Sequence, residues 1–245
     1  RSSAASDVYK RQNYHFDIRP MEKVLEVCCA DIASVRAAAL ANAPRIELCS
    51  VLGVGGVTPS AGTLAIAREI YSGVINVLIR HREGDFIYNN TEKEIMLADI
   101  EAVAGKADGV VVGALDADGD IDLDFASQAV SKAKSLGLSI TFHRAFDDCK
   151  DQSEALEHLI ALGYDRILTS GGADNVCDGL DSLAALVRQA DGRIIILPGG
   201  GVNASNAAMV TNRCGAIEIH GSCRKDSQSS DPAIITSIIK SINHA

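Results

Sequence analysis

Eight short, apolar, β-branched runs recur along this chain with helical patterns between them, and that alternation restricts the fold more than any other feature. The runs are VLEVCC (24–29), RIELCS (45–50), VINVLIR (74–80), GVVVG (109–113), LSITFHR (138–144), RILTSG (166–171), RIIILPGG (193–200) and AIEIHGSC (216–223). Strands separated by helices pair in parallel, because each crossover returns the chain to the same end of the sheet. The intervening segments carry helix signals. TEKEIMLADIEAVAG opens with Thr91 and Glu94 at capping-box spacing, and TPSAGTLAIAREI places Pro59 at a first helical position. DQSEALEHLIALG, LDSLAALVRQADG and ASNAAMVTNRCG each close on Gly, the favoured helix stop. Eight such units in about 225 residues predict an α/β fold, a single-domain (β/α)8 TIM barrel spanning 21–245. The alternative is an open doubly wound sheet, but no GxGxxG follows the first strand.

Composition narrows the partners. With 245 residues, 47% of them hydrophobic, the chain can bury one large core. The net charge of −9 and the lack of a basic stripe argue against nucleic acid. No apolar run approaches the roughly 18 residues of a membrane helix. Residues 1–20 are polar and unpatterned, without the apolar region of a secretory signal, and read as a disordered leader or an artefact. Seven scattered cysteines without a CxxC pair suit reduced thiols in a cytoplasmic protein.

Strand side chains alternate with period two. Glu26 shares a face with Cys28, Glu47 with Cys49, Asn76 with Leu78 and Arg80, Thr141 with His143, and Glu218 with His220. The opposite faces carry Val, Leu, Ile and Phe, which belong under the helices, so the polar set is expected inside the barrel. An unpaired charge in the helix layer would cost several kcal/mol. Ordinary barrel interiors are layered Val, Ile and Leu; this mixture reads as a site, although an Arg80–Glu47 ion pair would account for part of it. The segments after the strands are rich in Gly, His, Arg and Asp, which places the chemistry at the C-terminal mouth. There, TSGG (Ser170, Gly171) and PGGG (Gly199, Gly200, Gly201) offer backbone N–H groups as anion loops.

Taken together, LEVCC, RIELCS, GGVTPS, TFHRAFD, RILTSGG, IIILPGGGV and EIHGS resemble the CutC copper homeostasis family, from about Val24 to Lys225. The resemblance implies a cytosolic TIM barrel that forms a homo-oligomer, a dimer or tetramer. It also implies Cu(I) as the bound metal, with the family's copper pair falling on Cys28 and Cys49. The chain departs from the family pattern at IRHR, where His81 replaces an expected Pro, at ANAPRIEL and at HGSC. Two functions therefore stand as expectations. One is Cu(I) binding by Cys28 and Cys49, with His143 or His220 as a third ligand. The other is a lyase or isomerase acting on a small anionic, even phosphorylated, substrate. In that case Glu26, Glu47, His143 and His220 supply acid–base groups, and Arg80, Arg144 and Asp147 complete the catalytic set.

Overall fold

The structure, a computed structural model, describes residues 22–225 and 229–244; the leader expected at residues 1–20 lies outside them. Strands and helices alternate as β1 (Val24–Cys29), α1 (Ile32–Leu40), β2 (Arg45–Leu48), α2 (Ala61–Ile70), β3 (Val74–Leu78), α3 (Asn90–Val103), β4 (Gly109–Val111) and α4 (Leu123–Ser135). They continue as β5 (Ser139–Phe142), α5 (Gln152–Leu162), β6 (Arg166–Thr169), α6 (Leu180–Ala190), β7 (Ile195–Pro198), α7 (Ala207–Cys214), β8 (Glu218–Gly221) and α8 (Pro232–Asn243). Short 3-10 turns follow β2 (Leu52–Val54) and β5 (Arg144–Asp148). All eight strands are parallel in the order β7-β6-β5-β4-β3-β2-β1-β8. This is the (β/α)8 barrel expected. Its seam is between β7 and β8, which touch without a paired ladder among the described residues.

The two-residue period sorts the strands as predicted. Leu25, Val27, Ile46, Leu48, Ile75, Val77, Ile140 and Phe142 pack outward against Leu64, Met96, Ile100, Phe125, Leu156 and Ile238 in one buried core. Each such side chain contributes about 1.5–3 kcal/mol by leaving water. A second, small apolar cluster of Cys28, Cys49, Leu78 and Val111 lies apart from it. That separation is what a barrel wall produces, with helices on one side and the lumen on the other.

Three helix signals fall on neighbouring residues instead. The capping box of α3 is Asn89 with Glu92, not Thr91 with Glu94: Asn89 Oδ1 accepts from Glu92 N at 3.0 Å, and Glu92 Oε2 accepts from Asn89 N at 2.8 Å. Asn is the better cap, and Thr91 already lies within the first turn. Asn89→Ala is expected to cost about 1 kcal/mol in a urea melt; an unchanged midpoint would contradict the cap. Pro59 precedes α2 rather than starting it, since Ser60 is the cap and accepts from Thr63 N. Gly163 and Gly215 close α5 and α7, but α6 ends one residue early on Asp191, in the left-handed region at φ 46°.

Candidate functional site

Parallel register carries the inward positions around the barrel: Glu26 lies beside Arg45 and His220, Cys28 beside Glu47, and Glu47 beside Asn76. The lowest polar layer is an ion network. Arg45 donates from Nε to Glu26 Oε2 at 2.6 Å and from Nη2 to Glu218 Oε2 at 2.5 Å. Arg166 Nε donates to Glu218 Oε2 at 2.8 Å, and Asn76 Nδ2 to Glu26 Oε2 at 2.7 Å. Arg45 and Arg166 were not singled out in the sequence, although counting back by two from Glu47 and Leu168 reaches both. The expected Arg80–Glu47 pair is absent among the described residues; Arg45 supplies the interior ion pairing instead.

Above this layer Cys28 joins two groupings. Its Sγ lies 3.8 Å from Cys49 Sγ, and its ligand atom, with those of Glu47 and His220, forms a set mutually within 4.8 Å. His220 Nδ1 bonds Glu26 Oε1 at 2.9 Å, which turns the other ring nitrogen away from that carboxylate. Burial alone would raise Glu26, but Arg45, His220 and Asn76 outweigh it and hold its pKa at about 2. Glu47 has no cationic contact to match. Burial, with the Glu26 charge adding to it, pushes it up to about 7 against the pull of His220, and its Oε2 has no partner. Burial opposes charge on His220, yet the Glu47 and Glu26 carboxylates raise its pKa above the usual value. The hydrogen bond with Cys49, and burial, push the Cys28 thiol well up.

The barrel opens into a cavity of about 570 Å³ bordered by Cys28, Glu47, Arg80, His143, Arg144 and His220, with Asp147, Gly200 and Gly201 also on its wall. Glu26 and Cys49 face the lumen without bordering this cavity; both are fully buried, one layer down and behind Cys28 respectively. The inward set therefore spans two levels, the cavity wall and a buried layer beneath it. Arg80 donates to the carbonyls of Val54, Gly56 and Gly84, tying the loop after β2 to the loop after β3, and its guanidinium lies 4.8 Å from the Phe86 ring centre. Phe86 in turn stands 4.9 Å from His143. Burial first, and then the Arg80 charge, hold His143 at about 3, so it is neutral.

The two Gly loops differ in what they offer. In TSGG, the N–H groups of Ser170 and Gly172 already donate to Asp147, which also accepts from the Thr169 and Ser170 hydroxyls and from Arg144 Nε at 2.7 Å. Gly171 N–H donates to Thr169 Oγ1. The sequence could not show that an internal carboxylate fills this loop, so Ser170 and Gly171 do not present free N–H groups to a ligand. In PGGG, Gly199 N–H donates to the Thr169 carbonyl. A Cβ on Gly199 would stand 2.6 Å from Leu168 Cδ1, and Gly200, at φ 96°, packs its bare backbone against the Arg144 guanidinium.

The CutC family profile matches residues 23–225. The chain belongs to the CutC family. Among CutC relatives, that of Xylella fastidiosa strain 9a5c is 46% identical over 201 residues, covering 82% of this chain and 74% of the relative. That of Vibrio cholerae El Tor Inaba N16961 is 46% identical over 205 residues, covering 83% and 81%. A solved CutC structure from Streptococcus agalactiae, described as a candidate copper homeostasis protein, superposes with TM-score 0.77 at 34% identity, covering 82% of this chain and 98% of that one. Thiamine phosphate pyrophosphorylase from Pyrococcus furiosus superposes with TM-score 0.62 at 18% identity, covering 91% and 97%, which shows the shared barrel fold alone. No helix among the described residues of this CutC chain is long and apolar enough to cross a membrane.

Proposed function

We propose that this CutC protein binds Cu(I) as cargo through Cys28 and Cys49, with His220 as the third ligand. The observation that carries this reading is the pair of buried thiols 3.8 Å apart, one on β1 and one immediately after β2. Cu(I) is soft and favours thiolate, with imidazole next. His220 suits the third place better than His143, because Glu26 holds its Nδ1 as outer carboxylates hold metal-binding histidines, whereas His143 Nδ1 accepts from Ala145 N and belongs to no cluster with Cys28. Glu47, a hard oxygen donor, is the weaker candidate. The reading includes a reducing, cytoplasmic location, which keeps such a pair unbridged, and the homo-oligomer implied by the family resemblance.

Both thiols must lose protons to bind the ion, so affinity rises with pH. Competition against a chromophoric Cu(I) chelator tests the site. Cys28→Ser with Cys49→Ser is expected to lose at least tenfold in affinity. Cys177→Ser with Cys214→Ser, away from the cavity, should lose less than about twofold. Equal losses in the two double variants would mean non-specific thiol binding and would end the proposal.

A second reading, a lyase or isomerase acting on a small anionic substrate, is favoured by one observation. Glu47 Oε2 and His143 Nε2 are buried, lack protein partners and belong to residues bordering the same cavity. Such a pair matches a proton acceptor facing a neutral hydrogen-bond donor.

A further inference from the structure

Three polar side chains bordering the mouth cavity are at least nine-tenths buried and end in an atom without a protein partner: Arg80 Nε, His143 Nε2 and Glu47 Oε2. Arg80 is the costliest of them. Its Nη1 and Nη2 donate to carbonyl oxygens, and among the described residues it makes no ion pair. A buried guanidinium without a counter-charge is unfavourable unless something supplies one. Across the same cavity, Arg144 shares its Asp147 partner with the Thr169 hydroxyl, the Ser170 N–H and hydroxyl and the Gly172 N–H. Its Nη2 donates to Ser170 Oγ at 2.9 Å and to the Ala173 carbonyl, which leaves Nη1, packed where an added Cβ on Gly200 would stand 3.4 Å away.

We propose that this cavity is a receptor for a small organic anion with a phosphate or carboxylate head. The head sits against the cavity side of Arg144 Nη1 and of the Gly200–Gly201 turn that packs on it, and Arg80 and His143 line the wall beside the rest of the ligand. A volume of about 570 Å³ fits a small metabolite rather than a bare ion. Because His143 Nδ1 accepts the Ala145 N–H at 3.2 Å, its proton sits on Nε2, making a neutral donor for a ligand carbonyl or hydroxyl. The carboxylates on the wall do not cancel the receptor. Asp147 is saturated by Arg144 and by donors of the TSGG loop, Asp148 is exposed to water, and Glu47 lies at the cavity floor beside Cys28.

This inference deepens the second reading, and its test reads binding alone, so absence of turnover would not decide it. Calorimetric titration with glycerol 3-phosphate, glycerate, inorganic phosphate and glycerol separates the head groups from the neutral body. At least one of the two organic anions is expected to bind, and glycerol is not. At a hundredfold excess over its dissociation constant the bound anion should raise the melting temperature by several degrees. Arg144→Met should weaken the anion at least tenfold. Arg144→Lys, which keeps the charge but loses the planar fork, should fall between Met and wild type. The titrations are run on metal-free protein with a Cu(I) chelator present, which separates this site from the copper reading, and Cys177→Ser with Cys214→Ser, whose residues do not border the cavity, should leave anion affinity within about twofold. The proposal is overturned if neither organic anion binds, if folded Arg144→Met and Arg144→Lys both bind as wild type does, or if inorganic phosphate alone binds as tightly as the ester.

Discussion

Replacing Arg45 with Met is expected to lower the folding free energy by about 3–5 kcal/mol at neutral pH, the usual cost of removing one partner from a buried ion pair. The reason is what remains. Glu26 is fully buried and loses its 2.6 Å donor; Glu218 keeps only Arg166. Met replaces the volume of the arginine stem, so most of the loss reports charge rather than a cavity. The pH dependence identifies the cause. In the native protein Glu26 sits at about 2, below its ordinary 4.5, so its contribution is present above pH 4.5 and is lost as pH falls through about 2. Without Arg45 that contribution disappears, and the deficit of the variant should shrink on acidification. Adding Glu26→Gln and Glu218→Gln should recover much of the loss. Urea midpoints for the single and triple variants at pH 7 decide the matter: a cost below about 1 kcal/mol, or no rescue, would mean that the network is not held by charge.

The second large effect concerns the pH profile of His143→Gln. The native imidazole is held at about 3, against an ordinary 6.5. Its contribution is therefore present above pH 6.5 and is lost as pH falls toward 3, at about 1.4 kcal/mol per pH unit. Glu47 acts in the opposite sense. Raised from 4.5 to about 7, it favours folding below pH 4.5 and withdraws that support as pH rises through 7. Between pH 6.5 and 4.5 the two slopes offset each other, so the wild-type curve should be nearly flat. Removing the imidazole leaves the Glu47 slope exposed, and the variant should gain stability on acidification. Relative to wild type it should improve by on the order of 3 kcal/mol across those two pH units, on top of any constant loss from the packing against Phe86. Parallel curves for the two proteins would show that His143 is not held neutral.

Much of this was legible in order along the chain. The eight apolar runs, their alternation with helices and the parity of Glu26, Cys28, Glu47, Cys49, Arg80, His143 and His220 are local properties, because a strand fixes the face of each side chain with a period of two. The same parity puts Arg45 and Arg166 inside as well, although a charge at a strand start reads as a solvated end. The helix caps slipped by a residue or two, since Thr91 and Asn89 carry nearly equivalent signals and backbone geometry chose between them.

What the sequence by itself determined is therefore the barrel and which residues point inward. The tertiary structure alone decided partnership. Arg45, on β2, reaches Glu218, 173 residues away, only because β8 closes beside β1. Asp147 fills the TSGG loop only because the turn after β5 stands next to the end of β6. Arg80 and His143 keep unpartnered atoms although parity placed them with Glu26, Glu47 and Glu218, since Arg45 takes Glu26 and Glu218 and Glu47 makes no ion pair with Arg80 among the described residues. Hydrogen bonds and charge pairing depend on distances of a few ångströms between chain-distant atoms, and no pattern in one strand fixes those distances before the barrel has closed.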